Sequence, residues 1–423
     1  MILFYFLIWI MAFTNHPLWD MRVGGLTMFY YIGAVCAIYA LFHLHARKTF
    51  PNFFRTWESR LLIVLYLIAT VSYFTQPFPR NWSSSPFLTC TSIVLLFFIA
   101  IIVIDTPTRL RRVLMAVVGS VGFSALYVLR EWQKDLGSSP GFRPGWVVGD
   151  SNSYAISAML CLPLAFYLML EKRPTWERFY CLGCAIVTLA AVLLGASRGG
   201  FLGLLAAFLF AALKSRRPLR TLALVSVLLI PTILILPQSP LRRLFHPDWV
   251  DNSAVVSRQA AWSGGLNMIK AHPLVGVGLG NFKPLVMDYE DAGTKVQSVA
   301  HNTYIEIGAE LGLPALLIFL ALLLSVYRTL ERVRRRAVRS GSQLFEDAAA
   351  GIQSGIVGYC VGAFFVSVEY EKFLWLLIGV SACLPVLIRR VTAEKSVRAD
   401  LRHLILPGVD APPVATQFEE GRF

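Results

Sequence analysis

Twelve apolar runs, most of them close to the length that crosses a bilayer, constrain this chain more than any other feature. They lie near 1–13, 25–44, 61–75, 87–104, 113–130, 153–170, 180–196, 200–213, 219–237, 312–327, 347–367 and 373–388. A hydrocarbon core about 30 Å thick is spanned by roughly 20 helical residues. The shorter runs are cut at their first charge, so interfacial residues and tilt extend them. Composition agrees: 56% of the residues are hydrophobic and 15% charged, with a mean hydropathy of +0.61, whereas a soluble domain carries about 25% charge. The expected fold is an all-α integral membrane protein of about twelve transmembrane helices. The first run starts at Met1 without a basic flank or a small-residue cleavage site, so it reads as a span rather than a signal peptide.

Charge placement orients the spans. The connections 45–60, 105–112, 171–178, 214–220 and 328–346, with the tail from 389, hold 26 of the 39 basic residues. Basic residues in short loops near helix ends stay cytoplasmic, so both termini are expected inside. The connection 238–311 then faces outward. This patterning also explains the formal charge of +14 without nucleic acid: the cluster RTLERVRRRAVR is a topology anchor beside anionic lipid. The expected organisation is a polytopic membrane domain over 1–390, with its large outward loop at 237–311, and a short cytoplasmic tail over 391–423.

That outward loop is too long for an ordinary connection and too apolar for disorder. SRQAAWSGGLNMIKAHPLVGVGLGNF contains an amphipathic stretch (Ala261, Trp262, Leu266, Ile269) followed by a Pro/Gly-rich turn. The expectation is a partly ordered, membrane-apposed loop with short helices. Gly276, Gly278 and Gly280 lack the strand–turn–helix setting of a nucleotide loop and read as turn formers. The seven cysteines fall inside apolar runs, which argues against a disulfide framework. Cys181 and Cys184 form a single CxxC with no second pair, a weak basis for a metal or redox role.

Three polar features face outward. GASRGG places Arg198 between two apolar runs. It is either a guanidinium presented at a Gly-rich turn or a snorkelling arginine at a hairpin. Arg258, in SRQAAW, is either a ligand contact or a solvated loop residue. SVAHNTYIEIGAELG brings His301, Asn302, Tyr304, Glu306 and Glu310 to the mouth of a span. If helical, His301 and Tyr304 lie i, i+3, while Asn302, Glu306 and Glu310 share a neighbouring face, where a carboxylate would orient the histidine. His301 read alone is more simply a cap or a packed interfacial residue. Polar groups gathered at a membrane boundary are nonetheless functional candidates.

Four stretches together resemble the O-antigen ligase and polymerase superfamily of bacterial envelope glycosyltransferases. They are GDSNSYAISAMLCLPLAF (149–166), LLGASRGGFLGLL (193–205), SRQAAWSGGLNMIKAHPLVGVGLGNF (257–282) and HNTYIEIGAELGLPALLIFL (301–320). The resemblance implies a multi-pass protein of the bacterial inner membrane that works on the periplasmic face. It implies a glycan donor linked to undecaprenyl pyrophosphate, and an acceptor hydroxyl on lipid A core or on a growing glycan. It assigns Arg198 and Arg258 to the donor pyrophosphate and His301 to the acceptor as base. Asp150, Asn152, Asn302, Tyr304 and Glu306 are the further candidates for acceptor contacts or for supporting the base. Neither a metal nor a cofactor is called for.

Ligase and polymerase share this architecture, and the ligase-type blocks favour the first. A polytopic transporter or lipid flippase is the reading from a different class. It predicts ionisable residues at mid-membrane and broken helices there, and Pro163 and Pro231 do fall inside spans. The candidates cluster at one face instead.

Overall fold

The computed structural model describes residues 1–13, 22–23, 26–47, 56–75, 85–134, 144–145, 150–170, 174–195, 197–215, 226, 252–291 and 297–405. A short helix α1 (Ile2–Ile10) precedes a two-residue antiparallel pairing of Arg22–Val23 with Leu26–Thr27. There follow α2 (Met28–Arg47), α3 (Trp57–Thr75), α4 (Pro86–Val103), α5 (Pro107–Lys134), α6 (Ser151–Leu170), α7 (Thr175–Leu194) and α8 (Arg198–Lys214). After them come α9 (Asn252–Ala271), α10 (Phe282–Tyr289), α11 (Thr303–Ser340), α12 (Gln343–Gly362) and α13 (Lys372–Ile405).

The protein is an all-α, multi-pass membrane protein. Among the described residues, seven helices are long and apolar enough to cross a bilayer: α3, α4, α5, α6, α7, α11 and the 372–395 part of α13. Eleven of the twelve expected spans coincide with a helix, although α1 has only 9 residues. The expected span 219–237 lies almost wholly outside the described residues, and Pro231 with it. Helix α6 runs unbroken through Pro163.

The centre of the bundle is α12, which packs against α6, α8 and α11. Its sequence AAAGIQSGIVGYCVG is rich in small residues, which let helix backbones approach closely in a membrane interior. Around it α5 pairs with α7, α3 with α11, and α4 with α13. In lipid the backbone groups of each spanning segment must be satisfied internally, so apolar runs of this length become helices.

Polar contacts sort the helix ends into two faces. On one, Arg111 bridges to Glu177 at 2.6 Å, Lys214 to Glu331 at 3.6 Å, and Arg336 donates to Thr392 at 3.2 Å. Glu58 accepts from Thr329 at 2.6 Å on the same face. These bonds join α3, α5, α7, α8, α11 and α13 at the ends that charge patterning groups together. The candidate residues occupy the other face.

Candidate functional site

The site is built around the start of α11, which is two helices meeting at a kink. Gly312 leaves helical geometry at φ 84°, and Pro314 follows it. Proline has no N–H to offer the carbonyl four residues back, so the break strands backbone groups of Ala309, Glu310 and Leu313. The Gly-rich stretch after α9 takes all three. Val277 N–H donates to the Ala309 carbonyl at 2.8 Å, Gly278 N–H to the Glu310 carbonyl at 2.9 Å, and Leu313 N–H to the Pro273 carbonyl at 2.8 Å. Gly276, Gly278 and Gly280 hold φ of 67°, 108° and 79°. At Gly276 a Cβ would fall on the Glu310 backbone. The glycines are turn formers, as the sequence indicates, and the turn serves the kink.

The outward loop carries its own small core. Ala261, Met268, Val277, Phe282, Val286, Ala300 and Ala309 bury one another between α9, α10 and α11. Leu266, placed by its pattern on the amphipathic face, is exposed instead. Gly264 and Gly265 lie against Val286, Phe282 and Ile305, and this shifts the buried stripe to Ala261, Met268 and the glycines. The indole of Trp262 donates to the Ala300 carbonyl at 2.8 Å.

That bond grips the residue before His301. His301 is not helical: it sits at φ 49°, and among the described residues it is the one non-glycine with a positive φ. Such backbone costs about 1–3 kcal/mol and persists where surroundings impose it. The expected helical face of His301 with Tyr304 is therefore corrected, because α11 begins at Thr303, with Asn302 as its cap. The released imidazole is half-buried. Burial lowers its pKa below the usual histidine value, the nearby Arg258 cation lowers it further, and the Asp150 carboxylate opposes both. Arg258 is itself pushed below its ordinary value by burial and then by Arg198. The fold thus gathers Asp150, Arg198, Arg258 and His301 from four separate elements into one electrostatic neighbourhood.

Local chemistry sets each member. Arg198 is the first residue of α8, whose cap is Ser197, accepting from Gly200 N–H at 3.2 Å. Gly199 and Gly200 meet Phe365 and Ala155, so these glycines admit neighbouring side chains rather than an approaching ligand. Asp150 caps α6, accepting from Asn152 N–H at 2.7 Å and from the Ser153 hydroxyl at 2.6 Å. Asn152 sits beside it in the first turn, half-buried.

The remaining candidates are held by protein groups. Asn302 Oδ1 accepts from the backbone N–H of Tyr304 and Ile305 at 3.0 and 3.1 Å. The Tyr304 hydroxyl donates to the Cys360 carbonyl at 2.7 Å, and Glu306 accepts from the Ser367 hydroxyl. Glu310 accepts from Phe282 N–H at 3.1 Å. The carboxylate whose charge acts on His301 is Asp150, while Glu306 and Glu310 brace the loops around α11. A small cleft opens between α3, α4 and α11, with Glu310, Glu369 and Tyr370 in its otherwise apolar wall. None of Arg198, Arg258 or His301 lines it. Among the described residues, no three His, Cys, Asp or Glu side chains are placed to hold a metal ion. Cys181 and Cys184 are free thiols.

Residues 183–320 match the family model described as O-antigen ligase. Over that stretch the chain is similar to the O-antigen ligase family. The stretch runs from within α7 past the kink of α11 and contains Arg198, Arg258 and His301, while Asp150 and Asn152 precede it. The match supports a membrane glycosyltransferase of the O-antigen ligase and polymerase type, and the family implies a lipid-linked glycan and a glycan acceptor as general substrates. No curated protein matches the chain.

Two contributors to the candidate site were not singled out from sequence. Trp262 is visible only as part of an amphipathic face. The 363–371 connection wraps the start of α11: Thr303 donates its backbone N–H to Ala363 and its hydroxyl to Val366. In that connection the Glu371 carboxyl is raised above its ordinary value, mainly by burial, with Asp150 among the causes. The polar interruption SVEYEK between the last two apolar runs was the available signal.

Proposed function

We propose that the protein transfers a glycan from undecaprenyl pyrophosphate to an acceptor hydroxyl at the periplasmic face of the bacterial inner membrane, as an O-antigen ligase does. The observation that carries this reading is the gathering of two arginines and a histidine of low basicity at one helix mouth. Arg198 and Arg258 repel one another and are partly desolvated, so a doubly charged anion between them is favoured. A pyrophosphate has that charge and matches the planar guanidinium fork. His301, neutral near pH 7, is suited to accept a proton.

In the proposed step the acceptor oxygen attacks the anomeric carbon. Its proton passes to His301 as the new glycosidic bond forms. The bond from the anomeric carbon to the pyrophosphate oxygen breaks, and the electron pair leaves with undecaprenyl pyrophosphate. The arginines hold the charge that grows on that oxygen. Asp150 steadies the imidazolium that results.

Both termini lie in the cytoplasm in this reading, with the loop 237–311 outside, the membrane domain over 1–390 and a cytoplasmic tail over 391–423. The pairing of basic helix ends on the opposite face supports that orientation. A polymerase acting on a growing glycan is the second reading within the same chemistry.

The test separates donor binding from transfer. Arg258→Lys keeps the charge but loses the fork, and it should weaken binding of the lipid-linked donor and slow single-turnover transfer. His301→Ala should bind the donor almost normally and lose about 10²–10⁴ in rate, the usual cost of losing a general base. Normal transfer by a well-expressed His301→Ala protein would end the base assignment.

A further inference from the structure

The backbone that complements the α11 kink also fixes where the Pro273–Val275 turn lies. The Pro273 carbonyl takes Leu313 N–H at 2.8 Å, and Val277 and Gly278 follow on Ala309 and Glu310. The turn is thereby tied to the level at which the long apolar part of α11 begins. Beyond it Leu313, Leu317, Leu320 and Leu324 are all exposed, and their spacing of three and four residues makes one stripe on the helix. On a membrane-crossing helix such a stripe faces lipid. Leu274 and Val275, 72% and 57% exposed, extend it by one step off the helix. Exposed Lys270 and His272 lie just before them in sequence.

Lipid-exposed irregular backbone is excluded from the middle of the hydrocarbon core, where its polar groups would go unpaired, which confines such a turn to the outer edge of the acyl region. Here the Pro273 carbonyl is taken by α11, and Gly276 N–H closes the turn on the His272 carbonyl at 3.0 Å. We propose that the Pro273–Val275 turn is embedded in the acyl region of the leaflet bordering the candidate site, with phospholipid as the partner of Leu274 and Val275. Lys270 then stands at the level of the lipid phosphates, where a long basic side chain keeps its charge wet. The turn fixes how deep the Gly-rich stretch and the mouth of α11 sit. This anchoring does not depend on the chemistry proposed above, and its test needs no turnover.

Full-length protein carrying p-benzoylphenylalanine at position 274, 317 or 291 is reconstituted in nanodiscs of phosphatidylethanolamine and phosphatidylglycerol. After irradiation, covalent lipid adducts are counted by mass spectrometry. Position 317 reports the lipid-facing stripe, and Asp291, exposed at the end of the described loop, is the aqueous comparison. Lipid adducts at 274 several-fold above those at 291, and close to those at 317, are expected. Adducts at 274 no higher than at 291, or adducts to protein instead, overturn the proposal. The same label at Val275 repeats the measurement should the first variant assemble poorly.

Discussion

Replacing Trp262 with phenylalanine isolates what holds His301 in its unusual backbone. The variant keeps an aromatic ring on α9 and removes one hydrogen bond, from the indole to the Ala300 carbonyl at 2.8 Å. Ala300 is fully buried, and a buried acceptor left without its donor costs about 1–3 kcal/mol. The positive φ of His301, 49°, carries a cost of the same size, about 1–3 kcal/mol. Restraint and strain therefore compete on equal terms. Losing the restraint should shift the local equilibrium toward a relaxed His301 by roughly 5- to 150-fold. The fall should appear in single-turnover glycan transfer at saturating donor. Donor affinity should change little, because Arg258 stays on a helix held by its own small core. The thermal midpoint of the bundle should hardly move, since the bond lies outside the membrane helices. Transfer at the wild-type rate would refute the reasoning. An equal loss of donor binding would mean that Trp262 supports α9 as a whole.

Asp150→Asn keeps an acceptor for the cap of α6 but removes the charge that raises the His301 pKa. The acid limb of the pH–rate profile should move to lower pH, and an upward shift or none would sink the electrostatic pairing. Gly276→Ala puts a methyl on the Glu310 backbone at a φ of 67°. It should loosen the Gly-rich stretch by roughly 2 kcal/mol or more, from left-handed backbone and lost hydrogen bonds, seen as faster proteolysis between α9 and α10. In a cysteine-free background, Ser298→Cys should react with an impermeant thiol reagent in intact spheroplasts and Ser340→Cys should not; the reverse pattern inverts the orientation.

The sequence by itself determined the membrane class and most of the helices, because apolar runs of bilayer length leave the backbone little alternative. It also sorted the helix ends into two faces. Arg111 with Glu177 and Lys214 with Glu331 meet where their basic loops predict. The motifs around Arg198, Arg258 and His301 were legible as well, since each breaks an apolar context with residue types that need a reason to be there. Their meeting was not legible. Arg198, Arg258 and His301 lie on three elements separated by tens of residues, and only tertiary packing brings their charges within reach of one another. Nor does spacing tell that Asn302 caps α11 while His301 stands outside it in left-handed backbone. Helical periodicity says which residues would share a face, and it is silent on where the helix starts. The start was decided by contacts far along the chain: Trp262 on Ala300, Thr303 on Val366, and the Gly-rich stretch filling the kink at Gly312.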